Sequence, residues 1–197
     1  PLPSQPCAMA TSQTIGSDEI QAAILRLADA IAAAQGSPSK RVLLLGIANG
    51  GIQLAQRIGQ ILRHRRGAPA TTVGTLDISF HRDDIGLHPI PKEYVPTQIP
   101  SDVDGAHVIL VDDVLFSGRT VKAALDELFD HGRPGKVELA VLVDRGGRRL
   151  PFAADYVGLT MATQAEQKVV VKLDAAQPER DTIRVLPANP GPQPASR

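Results

Sequence analysis

Apolar residues fall into two rhythms along this chain. Continuous runs at Arg41–Ile47 (RVLLLGI), Val108–Val111 (VILV) and Lys136–Val143 (KVELAVLV) read as strands buried on both faces. Between them, apolar positions recur at helical spacing: Ile20, Ile24, Leu27 and Ile31; Ile52, Leu54, Ala55 and Ile58; Val121, Ala124, Leu125 and Leu128. Ser17 is the expected N-cap of the first helix, with Asp18 and Glu19 in its first turn, and Gly36 ends it. Thr72–Phe80 alternates like a strand, and the stretch 81–100 that follows, with prolines at 89, 91, 96 and 100, is long enough to be a flexible lid loop. Lys168–Leu173 and Thr182–Leu186 add two strands for a small hood. Strands alternating with helices predict an α/β fold: a mainly parallel twisted sheet with helices on both faces, occupying residues 17–186 as one domain. Residues 1–16 and 187–197, rich in proline and small polar residues, are expected to be disordered tails.

Composition narrows the partners. Hydrophobic residues make up 43% of the 197, and 21 basic residues balance 21 acidic ones, so no global charge draws the chain to nucleic acid or to a membrane. A local patch must carry any RNA binding, and Arg63-His64-Arg65-Arg66 is the one dense basic cluster. No apolar run approaches the roughly 18 residues of a spanning helix. A lone Cys7 cannot form an internal disulfide, and cytoplasmic residence is the expectation. The histidines show no metal-ligand spacing.

The candidate chemistry sits behind the central strand. Asp112 and Asp113 follow its apolar run, and Ser117-Gly118-Arg119-Thr120 forms a phosphate-sized turn into the next helix. In an open α/β sheet this lies at the carboxyl end of a strand, where ligands bind, and free N–H groups at a helix start favour an anion. Two carboxylates beside a phosphate cradle would repel a polyphosphate unless they accept hydrogen bonds from hydroxyls or face a divalent cation. A phosphorylated sugar with vicinal hydroxyls satisfies both halves. No Gly-Lys-Ser/Thr run is present, which argues against a nucleoside triphosphatase. A second loop, Ala48-Asn49-Gly50-Gly51, ends the Arg41–Ile47 run, and Asp144-Arg145-Gly146-Gly147-Arg148-Arg149 ends the Lys136–Val143 run near the same crevice; Arg145 is placed to reach a base or phosphates, while Arg148 and Arg149 read equally as solvated.

VILVDDVLFSGRT at Val108–Thr120 closely resembles the phosphoribosyl pyrophosphate (PRPP) signature of type I phosphoribosyltransferases. LDISFHRDD at Leu76–Asp84, the segment His131–Gly158 with its DRGGRRLP, and KVVVKLD at Lys168–Asp174 resemble more narrowly the PyrR family, bifunctional pyrimidine operon regulators and uracil phosphoribosyltransferases. The resemblance implies the type I phosphoribosyltransferase fold and the conversion of uracil and PRPP to UMP and pyrophosphate. It implies Asp112 and Asp113 on the ribose hydroxyls, with Asp113 also a proton acceptor, and Ser117, Gly118, Arg119 and Thr120 on the 5′-phosphate. Asn49, Gly50 and Gly51 would hold pyrophosphate. That loop lacks the Lys or Arg usual in such enzymes, which leaves the charge clamp and a catalytic role to Arg82 on the lid. Arg145, Tyr156 and Val157 would meet the base. Mg²⁺ is implied as a cofactor carried with PRPP, with no metal held by direct side-chain ligation. Further implications are an mRNA leader as partner and a homo-oligomer, dimer or larger. The first helix carries only Arg26 as a cation and Gly147 stands where the family commonly has His, both departures on the regulatory side. Two alternatives stay open: an RNA-binding attenuation regulator with weak or no catalysis, and a purine phosphoribosyltransferase.

Overall fold

A computed structural model describes residues 13–36, 39–81, 95–164 and 166–187; Arg82, the remainder of the expected lid up to 94, and most of both expected tails lie outside the described residues. In chain order the elements are β1 (Thr14–Ile15), α1 (Ser17–Gln35), β2 (Arg41–Ile47), α2 (Gly50–His64), β3 (Ala70–Leu76), β4 (His107–Leu115), α3 (Arg119–Asp130), β5 (Lys136–Asp144), β6 (Tyr156–Thr160), β7 (Lys168–Lys172), a 3₁₀ turn (Pro178–Arg180) and β8 (Thr182–Leu186). Five strands form one all-parallel sheet in the order β3-β2-β4-β5-β6.

Side chains alternate across a strand, and each central strand supplies apolar residues to both faces. Val42, Leu44, Ile109 and Val111 pack with α1 and α2, while Leu43, Leu45, Val108 and Leu110 pack with α3. Full burial of each such side chain contributes about 1.5–3 kcal/mol, which is why the continuous apolar runs settle in the centre of the sheet. α1 starts one residue after Gly16, so Ser17 is the first helical residue rather than the N-cap; at its other end Gly36, with φ of 56°, caps the helix and donates its N–H to the Ala32 carbonyl at 3.0 Å.

The hood departs from the reading of the chain start. Thr14–Ile15, placed by sequence in a disordered tail, pair antiparallel with β8, so strands from both ends of the chain build the three-stranded sheet β1-β8-β7. A charge cluster fastens it to the helices. Asp181 is buried and accepts from Arg57 Nη2 at 3.1 Å, from Gln21 Nε2 at 2.8 Å and from the Asp174 N–H at 2.8 Å. Removing one partner of such a buried pair costs about 3–5 kcal/mol.

β3 stops at Leu76, short of the expected Phe80. The Asp77 carboxylate accepts from the N–H and hydroxyl of Ser79, at 2.9 and 2.6 Å, and this local turn replaces the ladder. The end of the 81–100 stretch is also tied down: Thr75 and Gln98 exchange two backbone bonds of 2.9 Å, and Thr97 Oγ1 accepts from the Asp77 N–H.

Candidate active site

β4 is longer than its apolar run. It continues through Asp112↔Val141, Val114↔Val143 and Leu115↔Asp144 because β5 offers backbone partners along its whole length. The acidic pair therefore belongs to the strand, held by the ladder rather than by a loop. Asp112 is only 5% exposed, Asp113 is half-buried, and the Asp113 N–H donates to Asp112 Oδ1 at 3.0 Å. Burial, and secondarily the charge of Asp113, hold the Asp112 carboxyl well above the usual carboxylate range; burial also raises Asp113. Two carboxylates so placed are stabilised by hydroxyl donors or by nearby positive charge.

The two strand-to-helix loops flank them. On one side Gly118, with φ of 91°, caps α3; a Cβ there would lie 2.9 Å from the Phe152 ring and in a left-handed backbone, so glycine is required twice over. On the other side the Ala48–Asn49 peptide is cis, and the Ala48 N–H donates to the Leu76 carbonyl at 2.9 Å. A Cβ on Gly50 would fall 2.3 Å from the Asp113 carboxyl carbon, and one on Gly51 would fall 1.9 Å from the Val111 carbonyl oxygen. The paired glycines thus bring the start of α2 directly against the acidic pair. Asn49 and Gly50, both aspartates, and Ser117, Arg119 and Thr120 line one cavity of 390 Å³. Two larger cavities, of 800 and 700 Å³, lie along the β3 edge and at the amino ends of β2 and β3; neither contains the acidic pair.

Each end of this cavity is thus the amino end of a helix, and the two carboxylates stand between them. The arrangement accepts a molecule with an anionic group at either end and hydroxyls in the middle. The donor set fits Mg²⁺ brought by such a ligand: among the described residues, the hydrogen-bond partners of the two carboxylates are each other and the backbone, which leaves oxygen acceptors facing the cavity.

Three expected base contacts are placed elsewhere. Tyr156 pairs with Ala140 toward the amino end of β6, and its buried hydroxyl accepts from Gln35 Nε2 at 3.0 Å and donates to Glu138 Oε2 at 3.3 Å. Val157 follows it on the edge strand, exposed. Arg145 is buried, donating from Nε to Thr163 Oγ1 at 3.0 Å and from Nη2 to the Gln164 carbonyl at 2.9 Å, with its guanidinium 4.0 Å from the Phe116 ring centre. Resemblance aligns this segment without fixing which end of the strand meets the cleft, and the three residues lie outside the lining of the cavity that holds the acidic pair. Val114, Ile78 and Ala48 are the apolar members of the cavity wall. Val114 could have been found by continuing the alternation past Asp113. Ile78 had no signal, since it arrives from the turn after β3. A second grouping is also tertiary: His81 Nε2 stands 3.2 Å from Glu127 Oε2 and 3.3 Å from Asp130 Oδ2, on the outer part of α3.

Comparison with known proteins agrees with this geometry. The Phosphoribosyl transferase domain family matches residues 16–176. The chain is 51% identical over 158 residues to the Bifunctional protein PyrR of Streptomyces coelicolor, covering 78% of this chain and 79% of that one. It is 44% identical over 161 residues to that of Chloroflexus aurantiacus, covering 82% and 87%. Among solved structures it is similar to Trypanosoma cruzi hypoxanthine phosphoribosyltransferase in complex with the product IMP, with a TM-score of 0.60, 20% identity and coverage of 94% and 98%. A Bacillus anthracis hypoxanthine-guanine phosphoribosyltransferase gives a TM-score of 0.59 at 20% identity, covering 76% and 83%. These structural likenesses show the fold, a type I phosphoribosyltransferase sheet with its hood, and the sequence relatives narrow it further. The chain belongs to the PyrR family of type I phosphoribosyltransferases.

Proposed function

We propose that the protein transfers the 5-phosphoribosyl group of PRPP to uracil, giving UMP and pyrophosphate. The observation that carries this reading is the layout of the cavity: a helix start at each end and the buried Asp112–Asp113 pair between. PRPP has the matching order, with a 5-phosphate, ribose hydroxyls and a pyrophosphate. Ser117, Gly118, Arg119 and Thr120 hold the 5-phosphate through N–H and hydroxyl donors, Asp112 and Asp113 accept from the ribose hydroxyls, and Asn49, Gly50 and Gly51 offer close backbone approach to pyrophosphate. Mg²⁺ bound with PRPP neutralises leaving-group charge.

In the reaction the bond from the anomeric carbon to pyrophosphate breaks, with the electron pair leaving on oxygen, and a base nitrogen forms the new bond to that carbon while losing its proton. Positive charge gathers on the ribose ring beside the two carboxylates, which are preorganised to face it and stabilise it without reorientation. Asp113 is the candidate proton acceptor. Burial raises its pKa, which makes it a stronger base than an exposed carboxylate. Val114 and Ile78 offer apolar contact to the faces of the base.

The test is PRPP-dependent pyrophosphate release with uracil, hypoxanthine, guanine, adenine and orotate presented separately. Turnover with uracil alone is expected, and turnover with a purine base instead would overturn the assignment. The relatives are named bifunctional, which supports a second activity on a pyrimidine-operon mRNA leader. Arg26, the cation of α1, is exposed and donates from Nη2 to the Gly158 carbonyl at 3.1 Å, and Arg63 to Arg66, with Arg65 paired to Asp29, is the candidate cluster for RNA contact. Salt-dependent binding of leader RNA that weakens on neutralising that cluster is the expected result.

A further inference from the structure

The segment 144–152 is built around the phosphate loop. Arg148, which sequence left as a possible solvent-facing cation, is 24% exposed at its side chain and directs all three guanidinium nitrogens to protein acceptors. Nη1 donates to the Phe116 carbonyl at 2.9 Å and the Leu115 carbonyl at 3.2 Å, Nη2 to Asp144 Oδ2 at 2.6 Å, and Nε to the Phe152 carbonyl at 3.0 Å. The next carbonyl, that of Ser117, accepts from the N–H groups of Arg149 and Leu150 at 3.0 and 2.9 Å. Three consecutive carbonyls, 115 to 117, are therefore drawn toward one strip of chain.

This has a consequence for the ligand side. Across a trans peptide the carbonyl of one residue and the N–H of the next point in opposite directions. With the carbonyls of 115, 116 and 117 turned to the strip, the N–H groups of Phe116, Ser117 and Gly118 turn away from it, toward the side on which Ser117, Arg119 and Thr120 line the cavity. Left to itself, a short Ser-Gly turn would sample both orientations, because glycine is permissive. Arg145 adds a second hold, its guanidinium stacked 4.0 Å from the centre of the Phe116 ring while its donors are fixed by Thr163 and Gln164.

We propose that Arg148 is a positioning residue for phosphate binding: it does not touch the ligand but fixes the peptide orientation that makes the 115–118 loop a donor nest for the 5-phosphate. The charge matters less than the forked set of donors, which reaches several carbonyls and a carboxylate at once. The proposal rests on the reading that this cavity takes PRPP, but not on which base is used.

The test is calorimetric binding of ribose 5-phosphate, and separately of magnesium pyrophosphate, to the full chain and to Arg148→Lys. Ribose 5-phosphate affinity is expected to fall tenfold or more in Arg148→Lys, with pyrophosphate affinity within twofold and the binding stoichiometry unchanged. A purely structural defect would lower the melting temperature or the active fraction and weaken both ligands alike, and that outcome overturns the proposal. So does full ribose 5-phosphate affinity in Arg148→Lys, which would show that any cation suffices. If that variant fails to fold, Asp144→Asn removes the carboxylate that holds Nη2, and the same selective loss, smaller in size, is expected; equal weakening of both ligands or none contradicts it. Absence of ribose 5-phosphate binding by the parent chain would refute the PRPP reading itself, whereas selective loss in a protein inactive with uracil would leave the positioning role standing and remove only the base assignment.

Discussion

The two ends of the cleft are made from the same unit, a strand, a short turn and a helix start, yet they are finished differently. At the end we assign to the 5-phosphate, the turn carries hydroxyls on Ser117 and Thr120, a left-handed Gly118, and a brace from residues 144–152. At the end we assign to pyrophosphate, Asn49-Gly50-Gly51 has neither hydroxyl nor cation, and its glycines are dictated by crowding against Asp113 and Val111. One end offers side-chain hydroxyls beside its helix start. The other offers close backbone approach and no side-chain charge of its own. The acidic pair between them is where the two ends meet, since Gly50 touches Asp113 directly.

The comparison can be tested most severely at its centre. Asp113→Asn keeps the shape and removes the charge, so kcat/KM for phosphoribosyl transfer should fall by about 10²–10⁴-fold with an unchanged circular dichroism spectrum; near-normal kinetics would remove Asp113 from the mechanism. Next in size is the steric limit of the pyrophosphate end. Gly51→Ala places a methyl against the Val111 carbonyl, a backbone atom that cannot swing aside, and chemical denaturation should show a loss of about 1–3 kcal/mol or more.

Stability against pH reads the same site from another side. Burial, and then the Asp113 charge, raise the Asp112 pKa, so the native state binds that proton more tightly than the unfolded chain does. Stability therefore declines as pH rises from the unfolded pKa through the raised folded value, so the Asp112 carboxyl costs stability at pH values above the unfolded pKa. Asp112→Asn should melt at higher temperature than the parent at neutral pH, with the gap closing on acidification toward the unfolded pKa, while transfer activity is lost. A melting gap independent of pH would show that Asp112 is not the titrating group. The smallest effect concerns the missing charge: Asn49→Lys should lower the pyrophosphate KM in the reverse direction by roughly fivefold, about 1 kcal/mol, as for a partly exposed ion pair, and leave the UMP KM unaltered.

Much of this architecture is legible in the sequence. The runs at Arg41–Ile47 and Lys136–Val143 form β2 and β5 with boundaries shifted by no more than one residue, because a strand buried on both faces is apolar at nearly every central position. Asp112, Asp113 and the Ser-Gly-Arg-Thr turn stand out because carboxylates and a glycine turn directly behind such a run are poor core residues with a clear chemical use. The placement of Tyr156, Val157 and Arg145 is not legible for the complementary reason: whether a residue faces the cleft depends on register and strand direction, which local pattern does not encode.

Periodicity and local composition, read within a dozen residues, are enough to dictate the alternation of strands and helices, the parallel sheet that this alternation demands, and the acidic strand end with its phosphate turn. Three other outcomes exist only in the folded chain: Thr14–Ile15 close the hood against β8, Gly50 is pressed against Asp113, and Arg148 faces carbonyls instead of water. They join residues distant in the chain, 32 positions apart even for Arg148 and Phe116. Apolar burial is favourable against almost any apolar neighbour, whereas a guanidinium or a glycine acquires its role only from the particular backbone atoms that folding brings beside it.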